Sequence, residues 1–203
     1  EKERDLTNSR LQVLQMQINP HFLYNTLASV GSLCDSDPEG AQEMVYLLSD
    51  YLHKNFTDIQ TPTRITFSEE LENLKSYISI QKVRFPDITV EFDLKTSDFS
   101  VPAMTLQPLV ENSIRHGLRK LRGRKGVITI TSEEKDGNRI VCVKDNGTGF
   151  TQDEYEMPEK KHIGIENVRT RLEILCGGTL EISSVPSEGT VCSIILPGNP
   201  SVN

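Results

Sequence analysis

Several patterns are missing from this chain of 203 residues, and each absence closes off a class of protein. Cysteine is scarce. Cys34, Cys142, Cys176 and Cys192 are the whole complement, and no two stand at a paired metal spacing. A zinc module and a disulfide framework are both excluded on that ground, and a reducing compartment is expected. Cys142 and Cys192 lie in strand-like runs and read as small core residues. No apolar run approaches the length of a membrane span, and no signal peptide is visible. Basic charge is also in deficit. Lys and Arg number 22 against 29 Asp and Glu, a formal net charge of −7, which argues against nucleic acid as a partner. The local exception is Arg119, Lys120, Arg122, Arg124 and Lys125, either a solvated loop or a phosphate-facing patch. No repeat or low-complexity segment is evident. The chain opens at Glu1 rather than at a methionine, as expected of a piece of a longer protein.

What is present reads as two regions. Residues 1 to about 34 carry a helical pattern in which Leu11, Leu14 and Ile18 recur at spacings of three and four, and His21 and Asn25 continue that line. Pro20 interrupts it. A proline in a helix removes one backbone hydrogen bond and crowds the preceding turn, so a kink that pushes His21 outward is expected. Asp35-Ser36-Asp37-Pro38 is a break, and a second helix follows over about 39–55 with Val45, Leu48 and Leu52 on one face. Two such helices cannot bury their stripes alone, whereas a four-helix arrangement made by two chains would do so. After a turn-rich stretch, Ser68 reads as the N-cap of a third helix, with Glu69 and Glu70 in its first turn and Pro86 as its stop. The domain boundary is placed there, dividing the chain into 1–85 and 86–203.

The second region alternates strands and helices. Ile88, Val90, Phe92 and Leu94 alternate with polar residues as in a half-buried strand. Residues 105–118 are expected to be helical, with Leu106, Leu109, Val110 and Ile114 inward. Strands over 127–133 and 139–145 meet across Asp136-Gly137, a strong hairpin signal. The polar stretch 148–161 reads as a mobile loop. A helix over 165–176, with Ile165, Val168, Leu172 and Leu175 inward, is closed by Gly177 and Gly178. Two last strands flank Glu188-Gly189. The class is therefore α+β: a helical segment followed by a sandwich of a mixed sheet with its helices packed on one face.

Three clusters in this second region carry chemistry. In Glu111-Asn112-Ser113-Ile114-Arg115-His116-Gly117, helical spacing puts Asn112, Arg115 and His116 on one face, and an amide oxygen, a cation and an imidazole together suit a metal–phosphate group. The alternative is a helix face packed on its own sheet. In Asp145-Asn146-Gly147-Thr148-Gly149, the glycines permit close approach and Asp145 can accept a hydrogen bond from an exocyclic amine; the alternative is an ordinary Asn-Gly turn. In Ile163-Gly164-Ile165, a glycine enters a helix whose free N–H groups suit an anion.

Taken in this order, the clusters resemble the ATP-binding domain of sensor histidine kinases, within the larger family shared with gyrase and Hsp90-type ATPases. The resemblance implies that Asn112 binds Mg²⁺, that Asp145 binds adenine with Gly147 and Gly149 beside it, that Gly164 lies below a phosphate lid, and that Gly189-Thr190 belongs to the nucleotide site; Arg115 and His116 are counted with the nucleotide-binding residues. In the first region, Gln17-Ile18-Asn19-Pro20-His21-Phe22-Leu23-Tyr24-Asn25 looks like the phosphoacceptor box of LytS/YesM-type histidine kinases, and Arg84-Phe85 and Leu106-Gln107-Pro108 fit the same subfamily. Residues 1–85 are then a dimerisation and histidine phosphotransfer region, and 86–203 an ATP-binding domain. The activity implied is ATP-dependent phosphorylation of His21, followed by transfer to an aspartate on the receiver domain of a response regulator. ATP and Mg²⁺ are the implied ligands, a homodimer through the N-terminal helices the implied assembly, and a cytoplasmic place behind a bacterial membrane sensor region the implied setting.

Two residues depart from the pattern. His162 stands where the subfamily usually has a further glycine, and Phe22 stands where many histidine kinases carry an acid that takes the proton of the phosphoacceptor. Glu111, beside Asn112, is then the candidate base. Asn25 either orients the water that removes phosphate from the regulator, as a polar residue at this offset does in related kinases, or serves the helix itself. The competing reading from another class is a catalytically impaired, nucleotide-dependent scaffold module. A gyrase-type ATPase is disfavoured by the helical His21 segment.

Overall fold

The computed structural model describes residues 20–56, 64–121, 125–151, 153 and 163–198. The helical pattern before Pro20, most of the 148–161 loop, His162, Arg122 and Arg124 lie outside the described residues. The chain divides into two compact units, and the division falls inside one helix, after Leu71.

The first unit is helical. Helix α1 runs Pro20–Ser36 and helix α2 runs Pro38–Phe56, separated by Asp37 alone. Asp37 ends one helix and starts the next. Its N–H bonds to the Leu33 carbonyl at 2.8 Å, and its carboxylate accepts from the Gly40 N–H at 3.0 Å, as an N-cap should. Helix α3, Phe67–Arg84, contributes Glu72 onward to this unit. The core is aromatic. Phe22, Tyr51 and Tyr77 are buried, with ring centroids 5.3 Å apart for Phe22–Tyr51 and 5.1 Å for Phe22–Tyr77, in the edge-on and tilted arrangements that ring quadrupoles favour. This cluster sets the rotation of α2. Its buried stripe is Ala41, Met44, Leu48 and Tyr51, while Val45 is 48% exposed. The expected stripe through Val45 and Leu52 is off by about one residue, because Tyr51 is drawn inward by Phe22 and Tyr77.

The second unit begins with β1 (Arg64–Thr66), which pairs antiparallel with β3 (Ser100–Pro102). The first turn of α3 is capped by Thr66 and not by Ser68. The Thr66 hydroxyl accepts the Glu69 N–H at 3.2 Å, and the Glu69 carboxylate takes the Thr66 N–H at 2.8 Å, a reciprocal capping box. The main sheet has the order β2-β4-β5-β7-β6. Its strands are β2 (Ile88–Leu94), β4 (Gly126–Lys135), β5 (Asn138–Asp145), β6 (Thr179–Val185) and β7 (Gly189–Pro197). β2 runs parallel to β4, and the other pairs are antiparallel, so the sheet is mixed as expected. The β4–β5 hairpin turns at Asp136 and Gly137, both with positive φ, which is the twist a two-residue hairpin needs.

Two helices cover one face of this sheet. Helix α4 spans Leu106–Asn112, widens into a π-helical turn over Ser113–Gly117 and ends in a 3-10 turn, Leu118–Lys120. Helix α5 spans Ile163–Cys176. Leu106, Leu109, Val110 and Ile114 from the first, with Ile165, Val168 and Leu172 from the second, bury against Ile128, Ile130, Val141, Val143 and Ile194. Gly177 and Gly178 close α5 by donating to the carbonyls of Glu173 and Leu172 at 3.1 Å each. Cys192 is buried on the covered face, and burial pushes its thiol up to about 12, which leaves it inert. Cys142 is only half-buried, on the opposite face.

Candidate functional site

Asp145 ends β5, and the register sets it between Ile128 of β4 and Thr190 of β7. It is 2% exposed, so its carboxylate depends on protein partners. The Ser113 hydroxyl donates to Oδ2 at 2.7 Å, the Gly147 N–H donates to Oδ1 at 2.9 Å, and the Thr190 N–H also donates to the carboxylate. Burial nevertheless holds the carboxyl above its ordinary value; the three donors oppose that shift without cancelling it. The geometry explains the π-turn. Ser113 and Gly117 both face Asp145, one as a donor and the other as empty space: a Cβ on Gly117 would stand 3.0 Å from Oδ1. Widening the helix at this point satisfies both contacts at once.

The following loop is packed as tightly. A Cβ at Gly147 would come within 2.5 Å of the Gly117 Cα and 2.7 Å of Asp145 Oδ1, so only glycine lets the two segments touch. Thr148 is tied to the π-turn, its N–H to the Gly117 carbonyl at 3.3 Å and its hydroxyl to the His116 carbonyl at 3.4 Å. Gly149 has φ +59 and lies against the Val185 and Gly189 carbonyls. Asn146 braces the other side, accepting the Val127 N–H at 2.8 Å and donating to the Lys125 carbonyl at 3.1 Å. Ser184 joins the loop to β7, with its oxygen 3.1 Å from the Thr190 hydroxyl and accepting the Phe150 N–H at 2.9 Å.

Glu111 and Asn112 lie half-exposed at the end of α4, and Arg115 and His116 are exposed. The Asn112 side chain makes no hydrogen bond among the described residues. Gly164 sits in the first turn of α5 and is exposed. Among the described residues a Cβ there would meet only Pro108, at 3.8 Å, an ordinary contact. What the glycine leaves is bare backbone at a helix N-terminus, where N–H groups attract anions.

In the helical unit, His21 is exposed and Phe22 is buried. Asn25, one turn on, places its side-chain nitrogen 3.0 Å from Nδ1 and from Nε2 of the His21 ring. Thr26 donates to the Phe22 carbonyl at 2.8 Å.

The family described as "Histidine kinase" matches residues 9–89, and the family described as "Histidine kinase-, DNA gyrase B-, and HSP90-like ATPase" matches residues 101–200. The chain belongs to the histidine kinases. It is 37% identical to YwpD of Bacillus subtilis (strain 168), over 94% of this chain and 70% of that protein. It is 36% identical to the sensor histidine kinase YpdA of Escherichia coli (strain K12), over 97% of this chain and 36% of that protein, and 35% identical to the sensor protein LytS of Oceanobacillus iheyensis, over 95% and 35%. The chain thus spans about a third of the sensor proteins it matches. The histidine kinase ThkA, solved in complex with the response regulator protein TrrA, shares the fold with a TM-score of 0.52 and 20% identity, covering 100% of this chain and 66% of that one.

For a histidine kinase, the structure brings Asp145, Gly147, Gly149 and Thr190 of the expected nucleotide residues into one contiguous cluster, with Asn112, Arg115 and His116 on the adjoining helix. Three participants went unnoticed in the sequence. Ser113 lies in the same motif as Asn112, but its partner is 32 residues away. Gly117 and Ser184 likewise act through contacts that no local pattern displays. Asp145 fits adenine, since a buried carboxylate already satisfied by three donors retains lone pairs for an amine. Asn112 fits Mg²⁺ as one oxygen ligand. Among the described residues no group of three or more His, Cys, Asp and Glu could hold a metal.

Proposed function

We propose that this chain is the catalytic part of a two-component sensor histidine kinase, which phosphorylates His21 from ATP and passes the phosphate to an aspartate on a response regulator receiver domain. The observation that carries the reading is the buried Asp145, held by Ser113 and Gly147 at a strand end beside a helix that ends in the half-exposed Asn112. Asp145 selects adenine by accepting its amine. Gly147 and Gly149 let the backbone come close to the base, and Thr190 completes that wall. Asn112 holds Mg²⁺, which neutralises phosphate charge when bound, and Arg115, His116 and the amide end of α5 at Gly164 complement the phosphates. His21 is the acceptor. It stands exposed on α1, with the Asn25 side chain against its ring. Glu111 is the general base, because Phe22 is committed to the core. Positioning and charge neutralisation supply most of the rate in such a transfer, so the work of the protein is to hold these groups in place.

The domain reading is 1–85 for dimerisation and phosphotransfer and 86–203 for ATP binding. Tyr24 at 73%, Leu27 at 56% and Tyr46 at 66% exposure on α1 and α2 support a homodimer through these helices, since large apolar side chains are seldom left to water together. Among the described residues no helix is long and apolar enough to cross a membrane, and the membrane sensor region is proposed to lie upstream of this chain.

Incubation with Mg²⁺ and γ-labelled ATP tests the kinase reading. The expected product is an acid-labile, base-stable phosphate that disappears in His21→Gln while ATP still binds. An unlabelled wild type that binds ATP would instead make the chain a nucleotide-dependent scaffold.

A further inference from the structure

The turn that launches α4 is held in an unfavourable conformation by two buried charges that play no part in the chemistry above. Met104 has φ +57, in the left-handed region that residues with a side chain avoid, and such strain persists only where the surroundings enforce it. The natural N-cap of α4, Thr105, makes no side-chain capping bond; its hydroxyl is turned away to the Pro102 carbonyl at 2.6 Å. The cap comes from another helix instead. Glu70, 2% exposed in the first turn of α3, accepts the Met104 N–H at 2.9 Å through Oε2 and the Leu106 N–H at 2.7 Å through Oε1. From the other side Arg171, 4% exposed on α5, donates to the Ala103 carbonyl at 2.9 Å and the Met104 carbonyl at 2.6 Å. The carboxylate thus grips the N–H groups of the turn and the guanidinium grips its carbonyls. The peptide groups between them are aligned with the field of both charges.

This clamp is one of two anchors on a short rod. Helix α4 is fixed at its start by Glu70 and Arg171 and just past its end by the bond from Ser113 to Asp145. Asn112 lies between the anchors. Losing the second anchor disturbs the adenine end, whereas losing the first frees the start of the helix and with it the tilt and axial rotation at which Asn112 presents its amide. We propose that Glu70 and Arg171 are positioning residues for the metal–phosphate end of the nucleotide site, setting the place of the Asn112 amide through the Ala103–Thr105 turn. The inference rests on the reading of Asn112 as the metal ligand and of Asp145 as the adenine ligand.

The test is calorimetry of the purified chain with a non-hydrolysable ATP analogue, with Mg²⁺ and with EDTA, beside a thermal melt. In Glu70→Gln the side chain keeps its shape, but its nitrogen meets an N–H that needs an acceptor. The clamp bond itself is common to the free and the bound protein, so the effect on affinity comes through the misplaced Asn112 amide, which should weaken binding in Mg²⁺ by roughly tenfold while binding in EDTA stays within about twofold. Arg171→Lys should give the same signature more weakly, since a single ammonium cannot reach both carbonyls in the geometry of a guanidinium. It is the deciding variant if Glu70→Gln does not fold. Asn112→Ala separates the two ideas. If it leaves the Mg²⁺ enhancement intact, the assignment of Asn112 is wrong. If Asn112→Ala abolishes the enhancement and the clamp variants retain it, the positioning role is overturned while the nucleotide site stands. Equal loss of affinity with and without metal, tracking a lower melting temperature, would show a clamp that only stabilises the fold, and would also overturn the proposal.

Discussion

Asp145→Asn should weaken nucleotide binding and at the same time leave the free protein as stable as before, or more so. The two effects separate because the carboxylate does two things. Buried at 2% exposure, it is disfavoured in its charged form, and the donors from Ser113, Gly147 and Thr190 offset only part of that cost. An asparagine keeps an oxygen for the Gly147 N–H, and its nitrogen can donate to a Ser113 hydroxyl that reverses its role. Toward adenine the exchange is one-sided. An amine that donated to a carboxylate now meets a second donor, and losing a charge-assisted hydrogen bond costs about 1.5–3 kcal/mol, or roughly ten- to a hundredfold in affinity.

The pH dependence follows from the direction of the shift. The folded carboxyl of Asp145 lies above its unfolded value, so the folded state holds the proton more tightly. Its contribution to stability is fully present below the unfolded value of about 3.9 and is lost as the pH rises through the higher folded value. The melting temperature of Asp145→Asn should therefore equal or exceed that of the wild type at pH 7–8, with any advantage shrinking toward pH 4. Calorimetry with ATP and melts across that range test both halves. An ATP affinity within about twofold of wild type would remove Asp145 from adenine recognition. A variant several degrees less stable at neutral pH would show that the donors outweigh burial, and would overturn the electrostatic argument.

Ser113→Ala removes one donor from the same carboxylate and should cost about 1–3 kcal/mol at neutral pH, recovered on acidification to pH 4, as denaturant melts at both values would show. Asn25→Ala should leave phosphorylation of His21 near normal while slowing dephosphorylation of the regulator if Asn25 orients the attacking water. A parallel fall in both rates with a lower melting temperature would assign it to the helix instead, and regulator dephosphorylation at the normal rate excludes the catalytic role. Phe22→Ala should destabilise the helical unit by about 3–5 kcal/mol, with Phe22→Leu restoring much of it; a change under about 1 kcal/mol in a urea melt would contradict the core role assigned here.

The elements with a periodic apolar face were readable without coordinates. Ile165, Val168 and Leu172 point to the sheet because spacings of three and four leave them no other side. What escaped reading depends on partners distant in the chain. Arg171 lies in that same helix and would be taken as solvated, yet it is buried because it serves carbonyls 67 and 68 residues away. Ser113 and Gly117 look like two small helical residues until Asp145 is placed between them, and the π-turn is a consequence of that tertiary demand. Ser68 reads as the cap of α3, yet Thr66-Phe67-Ser68-Glu69 has the spacing of a capping box and Thr66 takes that role. Among the residues expected to bind nucleotide, the motif discloses which side chains gather but not which of them the fold itself requires. Gly147 is required by backbone contact in the free protein, whereas Gly164 meets no such contact among the described residues.

Phe22 shows how a departure in a motif can be a consequence of packing. Adjacent residues on a helix point about 100° apart, so a rotation that exposes His21 can bury its neighbour. Here it does: Phe22 sits between the rings of Tyr51 and Tyr77, and the Thr26 hydroxyl closes over its carbonyl. An acid at this position would place a carboxylate among aromatic rings, where a charge is expensive unless paired. The same contact makes the histidine reliable as an acceptor. With Phe22 wedged into the core, α1 cannot roll about its axis without opening that cluster, and the imidazole is kept on the outer face against Asn25. If His21 is the phosphoacceptor proposed above, residue 22 is committed to the core and does not take its proton, which is why that step is proposed for Glu111.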